Sequence, residues 1–173
     1  MMDVAANPSE VVELALNHFG DDILRLAFSY LKRREDAEDV VQDTLIRLMR
    51  SGGEFETEEK LKAWLLHVAA NLCKDILKSS VWKKQASLPE GYDVAVEDDS
   101  LTEGESDVWE AVMTLPDKYR SVVHLYYYED YSTKEIAQIL EKRESSVRTL
   151  LKRGREKIKQ YLEKGEDGCE QGV

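Results

Sequence analysis

The sequence predicts an all-α protein of two small helical domains, joined by a flexible acidic linker and ending in a helix-turn-helix. Apolar residues recur at spacings of three and four along several stretches, and the three prolines are few for 173 residues. No alternating strand pattern of useful length occurs. A chain of this length can form one ordinary domain or two small ones. The predicted domains are 1–84 and 108–165, with the linker at 85–107 and a tail at 166–173.

Three helices are predicted in the first domain, over residues 11–32, 35–50 and 61–78. The first should break near Gly20, because glycine is the poorest helix former after proline. Trp64, in the third helix, is expected to anchor the small core between the three. The second helix should have one apolar side and one polar side. Its apolar side comprises Ala37, Val40, Val41, Leu45, Leu48 and Met49.

The negative charge of the chain is concentrated in one segment. Of a formal net charge of −11, nine acidic residues lie between positions 86 and 110, where there is no Lys or Arg, so the remainder carries −2. By contrast, the stretch 141–164 has nine Lys or Arg against four Glu. Because DNA affinity depends on local phosphate neutralisation, a basic face in an acidic protein can still bind DNA. The acidic segment is interpreted as a solvated spacer in preference to a nucleic-acid mimic.

The second domain is predicted to begin with two short helices. The first starts at Val108 and ends before Pro116, since the residue before a proline disfavours helix. The next covers 118–127. Tyrosines at 126–128 are interpreted as core and interface aromatics in preference to a base-stacking platform. The inward residues of the second of these helices are Val122, Val123 and Tyr126.

The last two helices are predicted to form the helix-turn-helix. Ser132 and Glu135 have the spacing of a capping box at a helix start, and apolar residues follow as far as Leu140. A second helix is predicted to begin at Ser145, and its apolar residues recur at helical spacings on the inward side. This layout is typical of a recognition helix that enters the DNA major groove. Its outward side carries Arg148, Thr149, Lys152, Arg153 and Arg155.

Several functional classes find no support in the sequence. Cys73 and Cys169 are too few and too far apart for a disulfide framework or a zinc site, and the three histidines have no metal-ligand spacing. No HExxH, phosphate loop or nucleophile motif occurs, so no catalytic residue, metal or cofactor is predicted. No signal peptide is expected, because the start of the sequence lacks a basic region followed by an apolar run, and the longest nearly apolar run, 63–72, is far short of the ~20 residues that span a membrane. A cytoplasmic protein that is not an enzyme and does not insert into membranes is expected.

Four motifs, in order, resemble the extracytoplasmic-function (ECF) sigma factors of bacterial RNA polymerase, members of the sigma-70 type. They are Asp-Ala-Glu-Asp-Val-Val-Gln-Asp-Thr-Leu at 36–45, Ala-Trp-Leu-Leu-His-Val-Ala-Ala-Asn-Leu-Cys-Lys-Asp at 63–75, Leu-Pro with Tyr-Arg at 115–120, and the helix-turn-helix at 131–155. The first two are specific, because a plain helix-turn-helix regulator has no need of them. The resemblance covers about residues 14–163.

The resemblance implies a promoter-specificity subunit that binds core polymerase, recognises −35 and −10 promoter elements and helps to melt DNA. Residues 1–84 would be sigma region 2 and 108–165 sigma region 4. The implied contacts to the clamp helices of the largest polymerase subunit are Asp39, Gln42, Asp43 and Arg47. The implied −10 contacts are Phe55, Asn71, Lys74 and Lys78. The implied −35 contacts are Arg148, Thr149, Lys152, Arg153 and Arg155. The flap of the second-largest subunit and an anti-sigma factor are further implied partners.

Some alternatives remain open from the sequence. A stand-alone helix-turn-helix regulator would lack the polymerase-docking helix at 35–50, and Asn71 is equally compatible with an ordinary helix surface. The loop at 51–59 is rich in glutamate, which is unfavourable beside single-stranded DNA, so the identity of a captured base stays open. Gly154 should cost the recognition helix ~1 kcal/mol of propensity unless close packing requires it.

Overall fold

The computed structural model describes residues 7–52, 54–79 and 103–170, and in the last of these ranges it describes the side chains of 107–165. The chain divides into two compact units, residues 1–93 and 94–173, and the division falls inside the predicted linker. All the regular elements in the described ranges are α-helices, which confirms the predicted fold class. The predicted linker residues 85–102 lie outside the described residues.

The N-terminal unit consists of α1 (Pro8–Leu31), α2 (Arg34–Ser51) and α3 (Glu58–Lys78). The helix starts carry side-chain caps where the sequence supplies them. The Asn7 side chain accepts from the Ser9 amide, and the Thr57 hydroxyl accepts from the Lys60 amide at 3.2 Å. The three helices all contact one another around a shared apolar core. Its fully buried large side chains are Ile23, Leu26, Leu31, Val40, Leu48, Leu65 and Leu66.

One prediction for α1 and one for α3 are wrong. Helix α1 runs without a break through Gly20, which is buried. A Cβ there would stand 3.2 Å from Leu16 Cδ1. Burial of the α1 face outweighs the ~1 kcal/mol that glycine costs in a helix. Trp64 is only half-buried and lies at the margin of the α3 core face, whose centre is taken by leucines such as Leu65.

The C-terminal unit consists of α4 (Glu103–Thr114), α5 (Asp117–Tyr127), α6 (Thr133–Leu140) and α7 (Glu144–Glu170). Helix α4 begins five residues before the predicted start at Val108, so the end of the predicted linker is helical. Val108 itself is 39% exposed. Helix α7 likewise extends into the predicted tail. The core of the C-terminal unit includes Ala111, Val112, Val122, Leu125, Ile136, Ile139, Leu140, Val147 and Leu151.

The helix-turn-helix forms as predicted. Ser132 Oγ accepts from the Glu135 amide at 3.2 Å, and Glu135 Oε2 accepts from the Ser132 amide at 2.8 Å, so the capping box is confirmed. These hydrogen bonds lower the pKa of the Glu135 carboxyl, the backbone amide of Ser132 contributing most. Helix α6 ends at Glu141 in the left-handed conformation, and α7 begins three residues later.

Gly154 lies where α7 packs closely against α5. A Cβ on this buried glycine would lie 3.0 Å from Val123 Cγ2 and 3.7 Å from Tyr119 Cβ. The close packing that would justify a glycine in the middle of a recognition helix is therefore present. It fixes the distance between α7 and its supporting helix.

None of the helices in the described parts of the chain is long and apolar enough to cross a membrane.

Candidate polymerase and promoter interfaces

Helix α2 presents one buried side and one polar side. Thr44 is fully buried, and its hydroxyl donates to the Val40 carbonyl at 2.7 Å, so a polar residue joins the core without an unpaired hydroxyl. All four predicted docking residues lie on the exposed side. They are Asp39, Gln42, Asp43 and Arg47. Within residues 7–52 and 54–79, none of these four side chains forms a hydrogen bond or an ion pair.

The exposed side of α2 also carries two apolar side chains. Ile46 is 40% exposed and Met49 is 50% exposed, whereas the predicted apolar side placed Met49 inward. The correction follows from helix geometry, because Leu48 takes the core position and its neighbour Met49 is rotated away by about 100°. Leu16, on α1, is also 49% exposed. The predicted docking face is therefore a mixture of charged and apolar groups.

Three of the four predicted −10 residues lie on one side of α3. Asn71, Lys74 and Lys78 follow one another at spacings of three and four. Asn71 and Lys74 are half-buried, and Lys78 is exposed. The Asn71 amide and the His67 Nε2 lie 3.2 Å apart, at hydrogen-bond distance. Sequence reasoning left His67 out of this group, although its spacing of four from Asn71 places it on the same side.

Phe55, the fourth −10 candidate, lies in the loop before α3 and is half-buried. Its ring packs against Trp64 with centroids 5.6 Å apart. Asn71, Lys74 and Lys78 form a stripe along one side of α3. Trp64 stands seven residues before Asn71 on the same side, so the aromatic pair continues this stripe toward the start of the helix. In the same loop Glu56 forms an ion pair with Lys60, whose hydrogen bond and charge lower the pKa of the Glu56 carboxyl.

The predicted −35 residues all point outward from α7, but several are held by neighbours. Arg148 Nη2 donates to Glu144 Oε1 at 2.8 Å, and the same carboxylate oxygen accepts from Thr133 Oγ1, in α6, at 2.9 Å. The Thr149 hydroxyl donates to the Ser145 carbonyl at 3.0 Å. Lys152, Arg153 and Arg155 are likewise exposed.

Arg155 is bound to the tyrosine run at the end of α5. Its Nε donates to the Tyr127 hydroxyl at 2.5 Å, and its guanidinium lies 5.5 Å from the ring centroids of both Tyr126 and Tyr127. Tyr127 is 50% exposed and Tyr128 is 43% exposed, so these two of the three tyrosines are not core residues, while the predicted interface role stays a prediction. They belong to the surface because α5 has already turned Leu125 inward.

Arg153 lies on the other flank of α7, beside Tyr119 of α5. Burial works to raise the pKa of the Tyr119 hydroxyl, but the charges and hydrogen bonds of Lys118 and Arg153 lower it overall. Lys157 also stands over the Tyr119 ring, 5.6 Å from its centroid. The basic residues of α7 are thus supported from α5 on both flanks.

An apolar groove lies between α4, α5 and the later part of α7. Its volume is about 410 Å³, and Arg155 lies at one edge. Its apolar lining includes Val108, Val112, Tyr127, Tyr128, Ile158 and Leu162. Because exposed apolar grooves rimmed by charge are typical of protein contact sites, it is a candidate binding surface.

A buried His–Glu pair lies beneath the tyrosine run. His124 Nε2 stands 3.5 Å from Glu129 Oε1, with side chains 1% and 2% exposed. The His124 ring stacks on Tyr128 with centroids 5.5 Å apart. Sequence reasoning missed this pair, because five residues separate it across the end of α5 and no spacing rule marks such a contact.

Comparison with known proteins identifies both units. Residues 16–83 match the model of Sigma-70 region 2, and residues 106–158 match that of Sigma-70, region 4. The RNA polymerase sigma factor SigV of Bacillus subtilis is 30% identical over 138 residues, which is 76% of this chain and 79% of SigV. The chain belongs to the ECF sigma factors of the sigma-70 family. It is accordingly a promoter-recognising sigma subunit of RNA polymerase, in a family whose members are not enzymes.

Other relatives agree with the assignment. The ECF RNA polymerase sigma factor SigE of Mycolicibacterium smegmatis is 32% identical over 169 residues, or 94% of this chain, which spans 65% of the length of SigE. The sigma factor RpoE, in its co-crystal structure with the anti-sigma factor NepR from Bartonella quintana, shares the fold with a TM-score of 0.72 at 21% identity. The match covers 87% of this chain and 96% of RpoE.

Proposed function

We propose that this sigma factor holds a promoter at two points, reading the −35 element with α7 and opening the −10 element along α3. The observation that carries the −35 part is the two-sided character of α7. Val147 and Leu151 are buried in the core, while Arg148, Thr149 and Lys152 are exposed at the start of the helix. In a helix-turn-helix the first turns of the second helix reach the base edges of the major groove.

The roles on α7 differ by position and by partner. Arg148 is the base reader, since a guanidinium can pair with both O6 and N7 of guanine. Lys152 lies one turn further along the same side and suits a base or phosphate contact. Arg153 and Arg155 are held on the flanks by tyrosines, which suits fixed contacts to the phosphate backbone.

For the −10 element we assign the stripe of α3 and the loop before it. Phe55 and Trp64 form an aromatic pair on which an unstacked base could stack. Asn71 supplies an amide for a base edge, and Lys74 and Lys78 supply positive charge for the backbone. Pairing of Glu56 with Lys60 neutralises part of the glutamate-rich loop, which reduces its repulsion of single-stranded DNA.

Polymerase docking is assigned to α2 and to the apolar groove of the C-terminal unit. The exposed side of α2, with Asp39, Gln42, Asp43 and Arg47 beside the exposed Ile46 and Met49, suits the clamp helices of the largest subunit. The groove beside α4 suits an apolar segment of the flap of the second-largest subunit. The protein would work with the polymerase in the cytoplasm. An anti-sigma factor is a proposed regulator, since RpoE was crystallised with NepR.

Reconstitution with core polymerase tests this function most directly. The full chain should confer start-site selectivity on a promoter library, whereas a stand-alone regulator would bind DNA without binding the enzyme. The variant Gln42→Ala/Asp43→Ala should lose polymerase binding and remain folded, because both side chains are exposed. Asn17→Ala/Asp21→Ala removes a matching amide and carboxylate from exposed positions on α1 and serves as the control.

Arg148→Ala tests the −35 assignment. It should relax preference at one base pair of the −35 element and cost about 1–3 kcal/mol of discrimination. Binding selections with randomised −35 sequences measure this preference. A uniform loss of affinity across all sequences would instead make Arg148 a phosphate contact.

A further inference from the structure

The first turn of α7 contains a three-residue network that ties the two helices of the helix-turn-helix together. Thr133 Oγ1 donates to Glu144 Oε1 at 2.9 Å, and Arg148 Nη2 donates to the same oxygen at 2.8 Å. We propose that Glu144 is a positioning residue, anchored by Thr133, that sets the orientation in which Arg148 meets its base pair. The proposal rests on the base-reading role of Arg148 proposed above.

The anchoring by Thr133 separates this pair from an ordinary helix-surface ion pair. Pairs at a spacing of four on an exposed helix contribute little, because both side chains remain free to move. The Lys159–Glu163 pair on the same helix has that character, with 3.9 Å between charged atoms and side chains 78% and 60% exposed. Glu144 is 38% exposed and receives its second hydrogen bond from eleven residues earlier in the chain.

Holding Arg148 in this way leaves its remaining donors free. A guanidinium has five N–H donors in a fixed plane, and the bond to Glu144 uses Nη2. Because Nη2 bears two hydrogens, one donor fork, which Nη2 forms with either Nε or Nη1, remains for the paired acceptors of guanine. Because the side chain is ordered before DNA arrives, less conformational entropy is lost on binding, and the fixed plane penalises a wrong base more strongly.

The Glu144 carboxylate should have opposite effects on base discrimination and on general affinity for DNA. A negative charge in the first turn of a recognition helix repels phosphates of every sequence. Glu144 should therefore lower general DNA affinity while raising discrimination at one base pair. These two effects can be separated by substitution, because Thr133→Val removes the anchor and leaves the charge in place.

The test uses the reconstituted holoenzyme and a set of promoters that differ at single −35 base pairs. Glu144→Gln should raise binding to mismatched promoters and reduce preference at the Arg148 base pair by about two- to tenfold. Thr133→Val should reduce the same preference without the general gain, and Thr133→Ser, which keeps the hydroxyl, should restore it. Glu156→Gln, which removes an exposed charge elsewhere on α7, should leave that preference intact.

Double variants that combine Glu144→Gln with Arg148→Ala distinguish a positioning role of Glu144 from direct base reading by Glu144. If Glu144 acts through Arg148, Glu144→Gln should not change base preference further in the Arg148→Ala background. An equal loss in both backgrounds would mean that Glu144 reads a base itself and would overturn the positioning role. If Arg148→Ala relaxes preference while Glu144→Gln and Thr133→Val do not, positioning fails and base reading stands. If Arg148→Ala itself leaves preference unchanged, both proposals fall.

Discussion

The two units present their recognition residues in different ways. On α2, the four proposed docking side chains project from one helix, and among the described residues of that unit none of them has a hydrogen-bond or ion-pair partner. On α7, by contrast, Arg148 is held by Glu144, and Arg155 is held by Tyr127. The first interface depends on the backbone of a single helix. The second depends on contacts between helices.

This difference fits the targets proposed for the two surfaces. A protein partner can adapt its own side chains to an exposed mixture of charge and apolar area. A base edge is rigid, and a long arginine must reach it in a set plane, so ordering the arginine beforehand adds selectivity. We therefore expect polymerase docking to tolerate conservative substitutions on the exposed side of α2. Promoter selectivity, by contrast, should be altered by substitutions of residues that support α7 without contacting DNA.

The largest predicted effect concerns the core side of α2. Leu48→Ala should destabilise the N-terminal unit by about 2–5 kcal/mol, because it empties a position that is 1% exposed. Its neighbour Met49 is 50% exposed, so Met49→Ala should change stability by less than about 0.5 kcal/mol. Hydrogen exchange by mass spectrometry resolves the two units in the full chain. Similar costs for both variants would show that α2 lacks the two-sided character described.

The contact between α7 and α5 gives the next effect. Gly154→Leu should destabilise the C-terminal unit by about 1–3 kcal/mol, since even a Cβ would lie 3.0 Å from Val123. Gly165→Ala, on the same helix with nothing within 4 Å of its Cβ position, should stabilise it slightly. Calorimetry of the full chain measures both. A neutral Gly154→Leu would mean that α7 can shift relative to α5 without cost.

The smallest effect compares helix caps in the two units. Ser132→Ala in α6 and Thr57→Ala in α3 should each cost about 1 kcal/mol, since each hydroxyl accepts from a backbone amide at 3.2 Å. Urea unfolding followed by hydrogen exchange assigns the loss to one unit. Equal losses are expected at neutral pH.

Only the α6 cap should respond to acid through its own carboxylate. The folded pKa of Glu135 is lowered, so its contribution is complete above the unfolded value near 4.5 and is lost as pH falls through the folded value. The stability difference between the wild type and Glu135→Gln should therefore shrink from pH 7 to pH 3. A difference that stays constant over this range would mean that the charge of Glu135 contributes nothing to the cap.

The sequence predicted helices well wherever local signals and burial agree. The capping box at Ser132 and the outward basic face of α7 follow from spacing alone. The break predicted at Gly20 and the core position predicted for Trp64 were wrong, because packing between helices decided both. Nor could the start of α4 at Glu103 be inferred from a segment whose composition is that of a linker.

The candidate site was likewise only partly predictable from the sequence. The exposed residues of α2 and α7 could be listed from helical periodicity, but their partners could not. Thr133 lies eleven residues before Glu144, and Tyr127 lies 28 residues before Arg155. Such contacts depend on how α5 and α6 pack against α7, which no local pattern encodes.

The exposed charges of Asp39, Asp43 and Arg47 have a kinetic consequence. Within residues 7–52 and 54–79 no ion pair has to break before any of the three meets another surface, so the proposed docking should need no preceding rearrangement. Encounter would then be governed by diffusion and by the attraction of exposed charges, which weakens steeply as ionic strength rises. The share of polymerase that this subunit captures in competition with others should therefore fall as the salt concentration around it increases.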